Sequence, residues 1–473
     1  MSKQSVVLIE PMGNESNVFE NFMQLPLTGV LYLGTILENN GYDVTILNEN
    51  ILGRHIDLFE VHADVYCITA LTVSANRAKL LAAQFKQIYP GSRVIIGGIH
   101  ASLLPGEFTD VADHIVIGEA EEVIVDVVAG RIHEQIINGR QVKDLDTLPP
   151  VNYRLLQGYE NISIVPIMTS RGCPFDCNFC TVTKIFGRKF RMQSADRIVA
   201  EIKHARSIFK THHFFFYDDN FTANRKRINE LCDMMLEQKI EITWNAQVRS
   251  DLAKQPDLLA KMARAGCTRV YVGFESISDE ALRALKKSQT KKDIEDAIRM
   301  FHTYGIKIHG MFMFGEDNDT LETIHETVDF ALQHEIDSVQ FMILTPFPGT
   351  QIYDKIVSEN RLYHRNWDYY DGMYAVYQPK NLTAVRLQEE MFRAYKRFYS
   401  VRRTAVNVLD FSFNMLIDAL VWNFRRALRY NIENIFLRIV SYFIINRFTR
   451  NYTSYLQFLK GTEHDHSVKK AFQ

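Results

Sequence analysis

The sequence has 473 residues, which exceeds one ordinary domain and predicts two or three domains. Hydrophobic residues make up 47% and charged residues 23%, as in folded soluble proteins, and a net charge of −2 excludes a global signature of nucleic-acid binding. The first residues give no signal-peptide pattern, and no run of about 18 uncharged apolar residues occurs. We therefore predict a cytoplasmic protein without a membrane-spanning segment.

The first 140 residues alternate between predicted strands and predicted helices. Strands are predicted at 6–11, 43–47, 64–71, 93–96 and 114–117, and helices at 25–40 and 75–89. This alternation indicates a parallel, doubly wound sheet of the Rossmann-like kind. In such a sheet, ligands bind outside the carboxyl ends of the strands.

A second alternating segment follows a Pro-rich linker, which we place at residues 141–161. Strands are predicted at 164–169, 213–217, 242–247, 268–273, 307–313 and 338–344. Six such units indicate a partial (β/α)6 barrel of the TIM type over residues 162–382, with catalytic groups at the carboxyl ends of its strands. Residues 383–473 show only a helical pattern. The predicted fold class is thus α/β, with a Rossmann-like domain at 1–140, the barrel and a C-terminal α-helical region.

Three of the six cysteines lie close together, directly after the first predicted strand of the barrel. Cys173, Cys177 and Cys180 have the spacing Cys-x3-Cys-x2-Cys. Three thiolates this close can bind three irons of a [4Fe-4S] cluster and leave the fourth iron open to a ligand. Structural zinc normally needs four ligands, and no further Cys or His lies at finger-like spacing. A zinc site with one remote ligand, or packed thiols, are the alternatives.

This motif, with Phe179 before the last cysteine, resembles the signature of the radical S-adenosylmethionine (SAM) superfamily, and the resemblance covers about residues 162–348. It implies that the open iron binds SAM and that the reduced cluster cleaves SAM to methionine and a 5′-deoxyadenosyl radical. It also implies a reductant such as flavodoxin or ferredoxin. Taken alone, Asp218 and Asp219 could cap the start of a helix, and Arg249 could form a surface ion pair. The SAM contacts that the resemblance implies are Phe179, Asp218, Asp219, Arg249, Glu275, Ser276, Gly310 and Gly315.

In one branch of this superfamily a cobalamin-binding domain precedes the barrel, and residues 1–140 resemble it. Glycines after parallel strands allow a flat macrocycle to approach the backbone. The Asp-x-His-x-x-Gly motif that carries a cobalt ligand in many such domains is absent, because residues 11–16 contain no His. We therefore expect cobalamin without His ligation from this loop; the alternative is a domain that binds no cobalamin. The implied cobalamin contacts are Thr72, Ser74, Gly97, Gly98, His100, Ala101, Gly118 and Glu119.

The C-terminal region is basic and rich in aromatic residues. Between residues 396 and 460, eleven Lys or Arg stand against three acids, a net charge of +8. One interpretation is a set of helices that packs over the barrel mouth. The other is an amphipathic surface that makes peripheral contact with a membrane.

Together these features resemble a cobalamin-dependent radical SAM methyltransferase. The expected substrate is an unactivated carbon of a hydrophobic small molecule, such as an isoprenoid, hopanoid, quinone or tetrapyrrole. Nucleic acid is not an expected substrate, because no RNA-binding module follows the barrel. A cyclase or rearrangement enzyme that transfers no methyl group is the alternative among enzymes, and an iron–sulfur or cobalamin sensor is the alternative outside them.

Overall fold

The computed structural model describes residues 3–14, 25–400 and 452–464. These residues form two six-stranded parallel sheets and one short antiparallel ladder. Helices cover the sheets, and this is the α/β architecture that the sequence predicts.

The first sheet has the strand order β2-β1-β3-β4-β5-β6, and all its strands are parallel. The order reverses between β1 and β3, which opens a crevice at their carboxyl ends. Strand β6 was not predicted, because it contains only three residues. The strands are β1 Ser5–Glu10, β2 Asp43–Asn48, β3 Val65–Thr69, β4 Arg93–Gly97, β5 His114–Ile117 and β6 Ile136–Asn138.

In the described part of the chain, five helices accompany this sheet and cover its faces, so its central strands are apolar on both sides. Strand β3 buries four consecutive residues, and β1 buries five. Gly34 of helix α1 lies so close to β2 that a Cβ there would approach the Ile46 side chain to 2.8 Å. The helices are α1 Thr28–Asn39, α2 Glu49–Leu52, α3 Ala75–Ile88, α4 Ile99–Leu103 and α5 Ile124–Val128.

The second sheet has the order β14-β13-β12-β11-β10-β7, in which neighbours in space are successive strands of the sheet along the chain. All its strands are parallel and follow this sequential order, which is the arrangement of the predicted partial barrel. A two-stranded ladder, β8 with β9, was not predicted. The strands are β7 Val165–Ile167, β8 Ser170–Arg171, β9 Arg191–Met192, β10 His213–Phe216, β11 Thr243–Val248, β12 Cys267–Glu275, β13 Lys307–Phe314 and β14 Ser338–Ile343.

Helices follow the barrel strands and cover the outer face of the barrel. Most begin with a side-chain cap, such as Ser194, whose hydroxyl accepts from the N–H of Arg197. The helices are α6 Val182–Ile185, α7 Ala195–Ile208, α8 Arg225–Glu237, α9 Pro256–Arg264, α10 Asp279–Ala284, α11 Lys291–Thr303, α12 Leu321–Gln333, α13 Gln351–Ser358, α14 Ala384–Phe398 and α15 Thr453–His464.

Helix α14 completes the barrel at the free edge of β14. The Tyr395 hydroxyl accepts from the N–H of Phe341 at 2.9 Å. The Tyr399 hydroxyl accepts from the N–H of Val339 and donates to its carbonyl, both at 2.9 Å. The backbone hydrogen-bonding groups at the open edge of β14 are thus paired with side chains instead of with another strand. Part of the predicted C-terminal helical region is therefore integral to the barrel.

Most of the basic C-terminal segment, residues 401–451, lies outside the described residues, so the predicted membrane contact concerns a part of the chain that the structure does not describe. Among the residues that it does describe, no helix combines the length and the apolar character needed to cross a membrane.

Candidate active site

The three motif cysteines lie on one loop whose ends are paired. Strands β8 and β9 place Arg171 opposite Arg191, so residues 172–190 form a closed loop just after β7. Gly172 opens the loop with a φ of +85°, and a Cβ there would lie 2.6 Å from the Lys189 carbonyl oxygen. Only glycine is compatible with this conformation and this contact.

Asn178 fixes the middle of this cysteine loop against the barrel. Its side-chain amide donates to the Ala284 carbonyl at 2.7 Å, and its backbone N–H donates to the Leu285 carbonyl at 3.4 Å. Its own carbonyl accepts from the N–H of Ile352 at 3.2 Å. These partners follow β12 and β14, so the loop lies across the carboxyl end of the barrel.

The three thiols are free and partly buried. Burial raises the pKa of Cys173 and of Cys177, and it raises the pKa of Cys180 to about 12. Thiolates at these positions therefore need a cation, which cluster iron supplies. No group of three or more His, Cys, Asp or Glu in the described ranges could hold a metal ion. In a cubane cluster, however, each thiolate binds a different iron, and three free thiols on one loop fit such a cluster.

Three of the charged residues that the sequence singles out lie around these cysteines. Beyond the effect of burial, Asp219 raises and Arg249 lowers the pKa of Cys173. Glu275 likewise adds to the increase in the pKa of Cys177. Their charges therefore act on the same thiols, although they follow three different strands. The fold thus brings together the cysteine loop and the three segments that contain Asp219, Arg249 and Glu275.

Arg249 is held in place by the cysteine loop and by the barrel. Its guanidinium carbon lies 3.7 Å from the centre of the Phe175 ring, which is a close cation–π contact. One of its terminal nitrogens donates to the Ser288 carbonyl at 3.3 Å. The guanidinium is therefore fixed between the cysteine loop and the segment after β12.

Glu275 ends β12 in an unusual backbone conformation. Its φ is +62°, and the pairing register with β13 shifts between Gly273 and Glu275. Strain of this kind in a residue other than glycine often marks a functional site. The Lys287 ammonium lies 2.7 Å from the Glu275 carboxylate, and each side chain is only 9% exposed. Lys287 was not predicted as a site residue, because a lysine among polar residues resembles an ordinary surface position.

Asp218 and Asp219 are neighbours in sequence but have different surroundings. The Asp218 carboxylate is buried and accepts from the N–H groups of Thr169 and Ser170, at 2.7 and 2.6 Å. Asp219 is accessible to solvent although protein surrounds it on most sides. Desolvation by that surrounding, and then the charge of Asp218, raises the pKa of Asp219 to about 6. Of the two, Asp219 is therefore the one that can meet a ligand.

The remaining predicted SAM contacts make packing interactions. A Cβ at Gly310 would lie between 3.1 and 3.3 Å from three side chains. Gly315 has a φ of +101°, and its carbonyl accepts from the Tyr377 hydroxyl. Ser276 is buried, and Phe179 packs against the hydrophobic core. Their contact with SAM stays a prediction.

Several side chains in the interior of the barrel are partly accessible to solvent. Along β11, β13 and β14, residues that face outward are buried, and alternate residues are only partly buried. Among the latter is His309, whose pKa burial lowers to about 3, so its imidazole is neutral. The partly buried residues of the barrel interior are Asn245, Gln247, Tyr271, His309, Met311, Met313, Gln340 and Met342.

The predicted cobalamin contacts lie at the carboxyl ends of β3, β4 and β5. Gly98 has a φ of +97°, and a Cβ there would lie 2.7 Å from the Thr69 hydroxyl and 2.8 Å from the Ala70 carbonyl. Gly118 donates its N–H to the Ser102 hydroxyl at 2.9 Å, and nothing lies within 4 Å of a Cβ placed on it. Further predicted contacts in this crevice are at least half-buried: Ser74, Gly97 and Ala101.

Both ring nitrogens of His100 have partners. Nδ1 lies 3.3 Å from the Thr72 hydroxyl, and Nε2 lies 3.1 Å from the Glu107 carboxylate. The Trp367 indole N–H donates to the same carboxylate oxygen at 2.9 Å, from the segment between α13 and α14. His100 is therefore part of a network that joins the two halves of the molecule.

The carboxyl ends of the two sheets face each other. Glu10, at the end of β1, and Tyr217, which follows β10, are near enough that Glu10 adds to the effect of burial in raising the pKa of Tyr217 to about 12. Burial raises the pKa of Glu10 itself to about 8. One Glu10 oxygen accepts from the Leu27 N–H and the Asn48 amide, and the other has no hydrogen-bond partner among the residues that the structure describes. Glu10 was not predicted as a site residue, because it ends an apolar strand.

Models of two known protein families match the two halves of the chain. The model for the Radical SAM superfamily matches residues 167–331, and the model for the B12 binding domain matches residues 23–128. The chain therefore contains a radical SAM domain and, before it, a B12-binding domain. These matches confirm the predicted cofactors, namely a [4Fe-4S] cluster, SAM and cobalamin, and they confirm that the chain is a radical SAM enzyme.

Individual relatives support this assignment. The radical SAM chain is 28% identical to bacteriochlorophyllide d C-12(1)-methyltransferase of Chlorobaculum tepidum, over 84% of this chain and 88% of the relative. It is 26% identical to anaerobic magnesium-protoporphyrin IX monomethyl ester cyclase of Cereibacter sphaeroides, over 72% of this chain and 61% of the relative. The solved structure of the cobalamin-dependent SAM radical enzyme OxsB has the same fold, with a TM-score of 0.67 at 14% identity over 100% of this chain and 84% of that one.

Proposed function

We propose that this radical SAM enzyme is a cobalamin-dependent methyltransferase that methylates an unactivated carbon of a hydrophobic small molecule. The observation that carries this proposal is that the carboxyl ends of the two sheets face each other, because Arg171, after β7, donates to the Glu119 carboxylate, after β5, at 2.7 Å. A ligand on the first sheet and a ligand on the cysteine loop would therefore share one enclosed space. When bound, the three cofactors supply the radical and the methyl group.

We further propose how this chain holds the cluster and SAM. Cys173, Cys177 and Cys180 bind the cluster, and the arginine at position 249 pairs with the carboxylate of SAM. Asp219 lies near the same thiols and is accessible, so its negative charge favours the cationic part of SAM. Lys287 holds the Glu275 carboxylate in place for its contact with SAM. These residues orient SAM, and the cysteine loop excludes water from the cluster.

Cobalamin would bind where β3, β4 and β5 end. Gly118 lets it approach the backbone, because its side-chain face is open, whereas Gly98 is required for close packing against Thr69 and Ala70. His100 is engaged with Thr72 and Glu107, which supports the expectation that no histidine of this crevice ligates cobalt. We propose that the cobalamin-binding domain spans residues 1–140, with a linker at 141–161, the barrel at 162–382 and the helical region at 383–473.

The barrel interior supports a hydrophobic substrate. Met311, Met313 and Met342 are partly buried there, and methionine adapts its shape to apolar ligands. Gln247 and Gln340 add polar groups for orientation. The named relatives act on bacteriochlorophyllide and on magnesium-protoporphyrin IX monomethyl ester, so a tetrapyrrole is the first substrate class to test.

The test measures which products of SAM the reduced protein forms. Anaerobically reconstituted protein with hydroxocobalamin, a flavodoxin reducing system, SAM labelled with deuterium in its methyl group, and a tetrapyrrole should form S-adenosylhomocysteine together with 5′-deoxyadenosine. The deuterated methyl group should appear in the tetrapyrrole. The matched control changes all three motif cysteines to Ala and should form no 5′-deoxyadenosine. Failure of the reduced wild type to cleave SAM would contradict the proposal.

A second candidate function is cyclisation without methyl transfer, because a relative of the same two-domain kind is a cyclase. This function would yield 5′-deoxyadenosine without S-adenosylhomocysteine, and the deuterium label would stay out of the product.

The basic segment before α15 supports a further proposal. We propose that it gives the protein a peripheral contact with anionic membrane lipids, where a hydrophobic substrate would be found.

A further inference from the structure

The base of the cysteine loop contains two arginines that face each other. Arg171 and Arg191 are direct cross-strand partners of the β8–β9 ladder. Their side chains are only 2% and 3% exposed. Like charges in this arrangement repel each other, and buried charges without partners are costly. The closed cysteine loop therefore depends on a compensating anion.

Glu119, from the loop after β5 of the other sheet, supplies that anion. One of its oxygens lies 2.7 Å from an Arg171 nitrogen and 2.9 Å from an Arg191 nitrogen. Its other oxygen accepts from the second terminal nitrogen of Arg191. Arg171 also donates to Glu121 at 2.5 Å. Two arginines and two glutamates thus form a buried, charge-balanced cluster in which Glu119 bridges the two ends of the cysteine loop.

The backbone of Glu119 is also closely packed. A Cβ at Gly139 would lie 2.0 Å from the Glu119 carbonyl oxygen, so these two segments are in direct backbone contact. The preceding Gly118 has a φ of +80° and belongs to the surface that we propose for cobalamin. Gly118 therefore joins this surface directly to Glu119, whose carboxylate pairs with both ends of the cysteine loop.

We infer that Glu119 is a positioning residue that couples the cobalamin site to the cluster site by bridging Arg171 and Arg191. The inference rests on the proposed positions of the two cofactors. Because coupling between two binding sites is reciprocal, the cluster must tighten cobalamin binding by the same factor by which cobalamin tightens the cluster. The typical size of such a coupling is about tenfold.

The experiment measures the affinity for hydroxocobalamin by absorbance titration, in the same preparation before and after anaerobic reconstitution of the cluster. We expect about tenfold tighter binding by wild type with the cluster than without it. In Glu119→Gln this ratio should fall close to one, because the amide cannot balance two guanidinium groups. The matched control is Glu122→Gln, an exposed residue of the same loop, which should keep the wild-type ratio.

A second variant keeps the inference falsifiable if Glu119→Gln does not fold. The double variant Glu119→Gln/Arg191→Gln removes one charge of each sign and leaves Arg171 paired with Glu121. It should fold and bind both cofactors, with the ratio again near one. A ratio of one in wild type, or an unchanged ratio in the folded variants, would overturn the inference while the proposed function stands. Wild type that binds neither cofactor would overturn both.

Discussion

Thr169 donates both its backbone N–H and its hydroxyl to the carboxylate of Asp218, which lies 49 residues further along the chain. This contact fixes the end of β7 next to the end of β10, immediately before the cysteine loop begins. Ser170 adds a third donor to the same carboxylate. Asp218 therefore holds in place the end of β7 from which the cysteine loop starts.

The first prediction concerns the different roles of Asp218 and Asp219. Asp218→Asn replaces an acceptor oxygen by an amide, so at least one buried donor loses its partner, which costs about 1–3 kcal/mol. We expect a lower denaturant midpoint and less iron per chain after reconstitution. Asp219→Asn is the matched control, because its side chain is accessible; it should keep the midpoint and lose SAM affinity. Equal iron content and stability in both variants would show that Asp218 has no supporting role.

The second prediction concerns the lysine beside Glu275. Lys287→Met leaves a buried carboxylate without its cation, and we expect equilibrium SAM binding to weaken about tenfold, or about 1.4 kcal/mol. Lys286→Met is the matched control, because its ammonium is exposed and donates to Gln351. If the two variants bind SAM equally well, Glu275 needs no partner for its function.

The third prediction concerns the start of the cysteine loop. Gly172→Ala places a Cβ against the Lys189 carbonyl at a positive φ, so the loop must distort. We expect the variant to fold but to bind substantially less iron, measured per chain after reconstitution. Gly91→Ala is the control, since no atom lies within 4 Å of its new methyl group. Wild-type iron content in Gly172→Ala would contradict this reading of the loop.

The fourth prediction concerns pH and Glu10. Its pKa rises from the usual 4.5 to about 8 on burial, so the folded protein holds a proton that unfolding releases. The contribution of Glu10 to stability is therefore full below about pH 4.5 and is lost as the pH rises toward 8. In Glu10→Gln this loss is absent, so its stability relative to wild type should increase between pH 5 and 8. Denaturant midpoints across this range test the prediction, with the exposed Glu60→Gln as the control that should parallel wild type.

The fifth prediction concerns the basic segment. Each basic residue near an anionic surface contributes about 1 kcal/mol, and salt weakens the effect. We expect the full chain to float with anionic liposomes at low salt, and a variant with Arg425, Arg426 and Arg429 changed to Gln to float less.

The control for this fifth prediction changes three exposed basic residues of the barrel to Gln, namely Lys203, Arg206 and Lys210. It should float as wild type does. Equal flotation of both triple variants would show that general charge, and not this segment, causes the binding.

The sequence predicted most strands of both sheets, because these strands are either apolar runs or alternate between buried apolar residues and other residues, and polar turns close them. Strands β8 and β9 were missed for the opposite reason: each has two residues, and their pairing depends on Glu119 from a distant part of the chain. The cysteines were found from their spacing. Lys287 and Glu10 carry no local signal, because their importance comes from burial beside partners that only the fold brings near.

The tyrosines of α14 that satisfy the edge of β14 also set an order of events during protein synthesis. A ribosome must make residues 395 and 399 before the last barrel strand can complete its hydrogen bonds. Until then, the nascent chain presents an unpaired strand edge, which is a template for aggregation. The last barrel strand therefore stays open to mispairing until translation has passed this helix.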